Sequence, residues 1–417
     1  MSKSGVLLLI LIWLLALALR FWGLSRFNTL VFDEVYNAKL ANSYLIGEEF
    51  LNAHPPLSRY LIAMGMWIAS FLPSDSVNDL TGSLRSTFSY RWLNALMGSF
   101  IPLVVGAIAY ELSGRQRQAI LAAILVSLDG LFLVESRYAL NNIYLVLFGL
   151  LGQLLLLWGL KRPRLLIAAG VSLGSAIAVK WNGLGFLLGM FLVSLVSRKW
   201  KNLGMYLGIV PLITYVFLWI PHLIMNSRYN FGEVHHNIVN FHSSIGNTAT
   251  VHPYCSSWYS WIVMWRPVAY FYETTQIATE KIIYVVYGTG NPLLWWFASG
   301  SILIVLIDAL LKLTNQQKLS FTSTYLLCNY SANLLPWMLV SRCLFLYHYM
   351  SAYVFALLAL ASILDTLLAS PHKPAKQLAK VGIILIISTF IFWLPIYLGL
   401  PLSQSQYEQR LLLPNWI

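Results

Sequence analysis

The sequence predicts an all-α polytopic membrane protein, on three observations. Of 417 residues, 58% are hydrophobic and only 10% charged, whereas ordinary globular domains carry about 25% charged residues. Mean hydropathy is +0.68. Eleven apolar runs approach or reach the roughly 20 residues that a membrane crossing needs, near residues 5–24, 93–112, 118–134, 140–160, 163–180, 183–197, 203–224, 294–313, 323–341, 345–368 and 378–400. In a soluble chain the net charge of +12 would point to nucleic acid. Here it is a topology signal, because Lys and Arg gather in cytoplasmic loops.

The first run follows MSKSG and lacks a clear small-residue cleavage site, so it reads as a retained span with a cytoplasmic N-terminus. Residues 57–72 form a shorter apolar stretch, about 24 Å long as a helix, between Pro55-Pro56 and Pro73. That length suits a helix lying in the interface. Charge decides the point. With 57–72 in the interface, the inner loops hold Arg115 and Arg117; Lys161, Arg162 and Arg164; Arg198, Lys199 and Lys201; Lys312 and Lys318; Lys373, Lys376 and Lys380. Every inner loop is then basic, and a crossing at 57–72 would put all these clusters outside. The chain divides into a membrane module at 1–224 with a first outer loop at 25–91, a large outer segment at 225–293, and a four-span region at 294–417.

The remaining ionisable residues converge on the outer face: Asp33, Glu34, His54, Arg59, Arg91, Glu135, Arg137, Lys180, Arg342 and His348. Asp33 and Glu34 are adjacent, so on a helix they point about 100° apart and serve different tasks. Tyr36 and Asn37 share the helical face of Asp33. Capping the following helix is the common fate of an Asp in such a place. His54 precedes two prolines and so sits on a rigid elbow. His235, His236, His242 and His252 have irregular spacing with no accompanying ligand pattern, so no metal site is expected. Nothing about Cys255, Cys328 and Cys343 suggests a disulfide framework or a redox motif, although Cys255 and Cys343 fall on the same outer face. The aromatic stretch 252–273 reads either as an interfacial belt or as the wall of a sugar site.

Several blocks together resemble the protein O-mannosyltransferases, membrane-embedded GT-C glycosyltransferases that use lipid-phosphate sugars. They are FDEVY at 32–36 with HPPL at 54–57, YRWLNALMG at 90–98, ESRYALNN at 135–142, AVKWNGLG at 178–185, HPYCSSWYSW at 252–261 with RPV at 266–268, GTGNPLLWW at 288–296, and LLPWMLVSRCLFLYHY at 334–349. The resemblance implies a GT-C fold of about 11 transmembrane helices plus the interfacial helix. It implies inverting transfer of mannose from polyprenyl-phosphate mannose to Ser or Thr hydroxyls of exported proteins, at the extracytoplasmic face of the cell membrane. The family's Asp-Glu pair falls on Asp33 and Glu34, and its first-loop Arg on Arg91; with that mapping, Asp33 is read as the general base and Glu34 as orienting the acceptor or the first loop. Arg91, Arg137, Lys180 and Arg342 are donor-phosphate candidates, and His54 and His348 shape the pocket. Arg59, Asn142, Trp181, His252, Tyr254 and Trp258 complete the expected substrate contacts. Asn142 stands where relatives often have Asp. No cofactor or metal is implied, and the partners are the lipid-linked donor, the polypeptide acceptor and the bilayer. Two rivals remain: a GT-C enzyme moving another lipid-linked sugar to a lipid or glycan, and a transporter or flippase. Transporters place ionisable groups near the bilayer midplane, whereas these lie at span ends on one face.

Overall fold

The structure is a computed structural model describing residues 1–73, 77–80, 83–197, 203–246, 252–277 and 280–416. The basic cluster of Arg198, Lys199 and Lys201 lies outside the described residues. In chain order the elements are α1 (Lys3–Phe21), α2 (Glu34–Ile46), α3 (Leu57–Ala69), the strands β1 (Val77–Leu80) and β2 (Ser83–Ser86), α4 (Thr87–Ser113), α5 (Gln116–Ser127), α6 (Gly130–Arg137), α7 (Asn142–Gly159), α8 (Leu165–Val179), α9 (Leu184–Ser197), α10 (Val210–Met225) and α11 (Phe231–Ser244). Then come β3 (Val268–Ile277), β4 (Glu280–Gly288), α12 (Pro292–Thr314), α13 (Phe321–Leu334), α14 (Met350–Ala369), α15 (Lys373–Leu398) and β5 (Leu402–Ser403).

Each of the eleven apolar runs falls on helix. Among the described residues, seven helices are long and apolar enough to cross a bilayer alone, and the bent pair α5–α6 makes an eighth. α8, α9 and α13, with 15, 14 and 14 residues, are shorter than a full crossing. The 60° bend between α5 and α6 has an identifiable cause. Asp129 caps α6 by accepting from Phe132 N at 3.0 Å, and also accepts from Tyr353 Oη at 3.2 Å. Gly130 then passes so close to Tyr397 and the Thr289 carbonyl that a Cβ would overlap both. At the centre, α14 is buried on every face from Met350 to Ala361, as a helix apolar all round must be. The periphery, including much of α1, turns Leu and Ile side chains outward to where lipid would lie.

The outer segments add β structure that the sequence reading does not contain. β3 and β4 pair antiparallel, and β5 adds to the free edge of β4. Their β-branched and aromatic residues fit a half-buried pleated surface. Two features support the interfacial course of α3. Asn42 in α2 donates from Nδ2 to the Leu80 carbonyl at 2.7 Å, and accepts at Oδ1 from Arg85 Nε at 2.9 Å. The segments that enter and leave α3 therefore lie side by side. At the opposite end, the N-terminal amine donates to Tyr110 Oη, Arg115 and Arg117 pair with Asp365, and Lys161 pairs with Glu111. The N-terminus and these basic residues thus share one end of the bundle. Ser83→Cys, in a Cys328→Ser background, should react with an impermeant maleimide added to intact cells, above the level of that background without the substitution. Reaction only after permeabilisation would reverse this topology.

Candidate active site

Immediately outside α1, the chain makes one unusual step. Phe32 takes φ of +51°, a left-handed conformation that costs a bulky residue about 1 to 3 kcal/mol. Its ring stacks on Tyr270 of β3 with centroids 4.2 Å apart. The step sends the next two carboxylates to separate places, as their adjacency requires. Glu34 is fully buried, and four donors satisfy it: Arg91 Nε (2.8 Å) and Ala139 N (2.9 Å) at Oε1, Arg91 Nη2 (2.7 Å) and Val31 N (2.8 Å) at Oε2. Asp33 stands at the N-cap position of α2, yet its side chain makes no capping bond. It faces a cavity instead.

That cavity, of about 550 Å³, is lined by Asp33, Tyr36 and Asn37 from α2, His54 and Arg59 from the Pro-Pro elbow and α3, Glu135 and Asn142 beside α6, and Lys180 after α8. The same wall takes in Asn237, Phe241 and His242 from α11, and Arg342, Tyr347 and His348 before α14. Its size suits a small polar ligand. A second cavity, of about 830 Å³, opens beside it along Leu184, Leu187, Leu188, Phe191, Leu339 and Val340, and the two share His54, Lys180, His242, Ile245 and Arg342. A third, also about 830 Å³, lies between Trp258, Tyr259, Trp265 and Arg266 and again reaches Arg342.

The charged groups hold one another in place. Lys180 Nζ donates to Asn142 Oδ1 at 3.4 Å, and Asn142 Nδ2 donates to Glu135 Oε2 at 3.1 Å. Tyr270 Oη donates to the other oxygen of Glu135. Lys180 also stands 5.4 Å from the centre of the Tyr347 ring. Arg59 reaches Pro55 O and Ser58 Oγ only at 3.4 Å, and its buried Nε has no partner among the described residues. Burial raises the Asp33 carboxyl, while Lys180 and then Arg59 pull it back down. Burial lowers Lys180 to about 8, with Arg342 adding to the shift and Asp33 and Glu135 opposing it. Arg59 falls to about 10, mainly through desolvation. His54 lies well below the usual imidazole range, first through burial and then through Lys180 and Arg59, so it is neutral near pH 7.

Eight of the expected residues line this cavity or its shared wall: Asp33, His54, Arg59, Asn142, Lys180, Arg342, His348 and, on the adjoining groove, Trp181. Trp258 lines the outer groove. His252 packs on Phe345 at 4.9 Å and Tyr254 lies under Arg266, and neither lines any of the three cavities. Glu34, Arg91 and Arg137 are buried beneath the floor. The expectation that Arg91 and Arg137 meet a donor phosphate is corrected by where their N–H groups point. Besides its two bonds to Glu34, Arg91 donates from Nη1 to Leu24 O and Phe27 O and from Nη2 to Thr29 O, which engages all five guanidinium donors. Arg137 gives its Nη atoms to the carbonyls of Leu19, Arg20, Trp22 and Gly23. Both tie down the exit of α1. Site residues beyond the expected set are Glu135, Tyr347 and the α11 face of Asn237, Phe241 and His242, where the ring of His242 lies 5.1 Å from that of His54. An acidic residue in the apolar run 118–134 and its continuation marks Glu135, and the i, i+4 spacing of Asn237 and Phe241 marks the helical face.

Removing one partner of a buried ion pair typically costs 3 to 5 kcal/mol. Arg91→Ala and Glu34→Ala should therefore each lower the melting temperature of the detergent-solubilised protein substantially. A normal melting temperature in Arg91→Ala, with donor affinity alone impaired, would return Arg91 to the phosphate.

Comparisons with known proteins agree with this geometry. Residues 10–240 match the family described as dolichyl-phosphate-mannose-protein mannosyltransferase, and residues 227–416 match the C-terminal four-span region of protein O-mannosyltransferase. The chain is 25% identical to a polyprenol-phosphate-mannose–protein mannosyltransferase of Mycolicibacterium smegmatis, across 93% of this chain and 88% of that one. It is also 25% identical to the Corynebacterium glutamicum protein of the same name, across 96% and 91%. Its fold superimposes on the Saccharomyces cerevisiae Pmt1-Pmt2 complex bound to the sugar donor with a TM-score of 0.86 at 14% identity, covering 100% of this chain and 93% of that one. Cupriavidus metallidurans ArnT bound to undecaprenyl phosphate gives 0.60 at 14% identity, covering 92% and 64%. The GT-C fold expected from the motifs is thereby established, and the chain belongs to the dolichyl-phosphate-mannose-protein mannosyltransferase family.

Proposed function

We propose that this protein transfers mannose from polyprenyl-phosphate mannose to Ser or Thr hydroxyls of exported polypeptides, in one inverting displacement with Asp33 as general base. The observation that carries the reading is the shared wall of two cavities. Lys180 and Arg342 belong both to the polar chamber that holds Asp33 and to the apolar groove along α9. A lipid-linked sugar needs that combination: a polar chamber for the hexose, cations at the neck for the phosphate, and an apolar channel for the prenyl chain. Arg59 adds a third cation, its Nε without a partner among the described residues. Charge-assisted hydrogen bonds from such groups are about twice as strong as neutral ones.

The chemistry follows from the two sides of the anomeric carbon. On the leaving side, a polyprenyl phosphate carries negative charge comfortably, its second pKa being about 6, so Lys180, Arg342 and Arg59 suffice without a general acid. On the attacking side, the acceptor hydroxyl must lose a proton as its oxygen bonds to carbon. Asp33 takes that proton. Its raised pKa makes it a better base than an exposed carboxylate, and the neighbouring cations keep it ionised. Direct displacement converts a β-linked donor into an α-linked product. His54, His242 and His348 remain neutral walls in this scheme, and no cofactor is invoked. An extracytoplasmic site is the reading supported by the gathering of the basic loops and the N-terminus at the other end.

General-base catalysis is typically worth about 10² to 10⁴ in rate. With radiolabelled polyprenyl-phosphate mannose and a Ser/Thr-rich peptide, Asp33→Asn should lose that much in kcat while donor KM changes little. Near wild-type turnover, or a β-linked product, would refute the mechanism. Label entering only lipid or glycan would instead remove protein as the acceptor. The pH dependence supplies a separate check. kcat/KM should rise with pH as Asp33 ionises and fall as Lys180 loses its proton near pH 8. Lys180→Met removes the largest influence that lowers the Asp33 pKa, so the rising limb should move to higher pH and the falling limb disappear. An unmoved rising limb would separate Lys180 from Asp33.

A further inference from the structure

Between α13 and α14 the chain does not run as a continuous helix. After a short 3-10 turn at Leu335–Leu339, residues 340–345 are irregular, and a second short turn at Leu346–Tyr349 leads into α14. This connector carries Arg342, Phe345, Tyr347 and His348 to the wall of the polar cavity. A backbone without its own ladder must be held by its neighbours. Cys343 N donates to Gly246 O at 2.8 Å, just beyond α11, and Ser256 N donates to Leu344 O at 2.8 Å. A further tie is covalent: Cys255 and Cys343 form a disulfide between segments 88 residues apart, which corrects the expectation of no disulfide framework. Spacing so long gives no local motif. Arg342, the residue directly before Cys343, is common to all three cavities, and its one hydrogen bond to a described residue goes to the Cys343 carbonyl at 3.2 Å.

We propose that the Cys255–Cys343 disulfide is a positioning device for the transfer reaction, fixing the connector so that the Arg342 guanidinium stands at the junction of the three cavities. The inference rests on the reading of that junction as the donor-phosphate site. An arginine side chain reaches only as accurately as its backbone is held, and misplacement by about 1 Å is enough to lose an oriented contact. The aromatic packing of His252 on Phe345 holds the same connector from one side, but ring packing tolerates sliding that a covalent bond does not. Such a bond forms and persists only in an oxidising compartment. The enzyme therefore gains its full donor affinity on the side of the membrane where exported acceptors are found.

Mass spectrometry of the purified protein without reductant should recover a peptide cross-linked through Cys255 and Cys343, whatever the transfer activity. Equilibrium binding of radiolabelled polyprenyl-phosphate mannose is then compared before and after reduction of the folded enzyme by tris(2-carboxyethyl)phosphine, with the released thiols titrated. Reduction should weaken donor binding about tenfold, the equivalent of one charge-assisted hydrogen bond, with kcat at saturating donor within about twofold, and reoxidation should restore it. Arg342→Gln should show a loss of similar size and no further loss on reduction, since both changes act through one group. Cys343→Ser, made separately, should match the reduced enzyme. Unchanged donor affinity after full reduction, or an equal further loss in Arg342→Gln, would overturn the proposal. Failure of the untreated enzyme to bind donor would instead overturn the donor-site reading, and the proposal with it.

Discussion

The bidentate ion pair between Glu34 and Arg91 is the constraint on which the rest of the site depends. Taking two charges out of water costs several kcal/mol per ion unless every hydrogen-bonding position is filled, and here both side chains are saturated. Glu34 accepts from Arg91, Val31 and Ala139, while Arg91 also donates to carbonyls at 24, 27 and 29. The pair thus ties the exit of α1, the start of α2, the wall of α4 and the turn after α6. With those four segments fixed, the left-handed step at Phe32 is sustained and Asp33 has one direction to face. The two acidic residues of FDEVY divide the labour between holding the loop and facing the substrate.

Electrostatic balance in the cavity follows from burial. Placing Asp33 among protein groups would by itself favour its protonated form, and placing Lys180 there would favour the neutral amine. Each offsets the shift of the other; Glu135 also supports the ammonium, whereas Arg342 works against it. The chain from Tyr270 through Glu135 and Asn142 to Lys180 also fixes where the ammonium stands. An Asp at 142 would bring a second carboxylate against Glu135. The amide instead donates to one partner and accepts from the other, which a carboxylate cannot do.

Much of this was legible in the sequence. The convergence of Asp33, Arg59, Lys180 and Arg342 followed from the basic inner loops, and the shortness of α3 from its place between prolines. The divergence of Asp33 and Glu34 followed from their adjacency. The roles of Arg91 and Arg137 were not legible, because a sequence shows a guanidinium but not the carbonyls that occupy its donors. The α11 lining was hidden because its helix is short and half polar. The β3–β4 hairpin was hidden within aromatic residues that also suit a membrane interface. The Cys255–Cys343 pair was visible as two residues on one face, and only the folded connector shows them meeting.

The most direct measurement is a cryo-electron microscopy structure of the Asp33→Asn protein with polyprenyl-phosphate mannose bound. The phosphate should lie among Arg59, Lys180 and Arg342, with the prenyl chain along Leu188 and Phe191 and the anomeric carbon facing residue 33 on the side opposite the phosphate. A donor phosphate resting on Arg91 or Arg137, or a mannose outside the chamber lined by Asp33, would contradict the account.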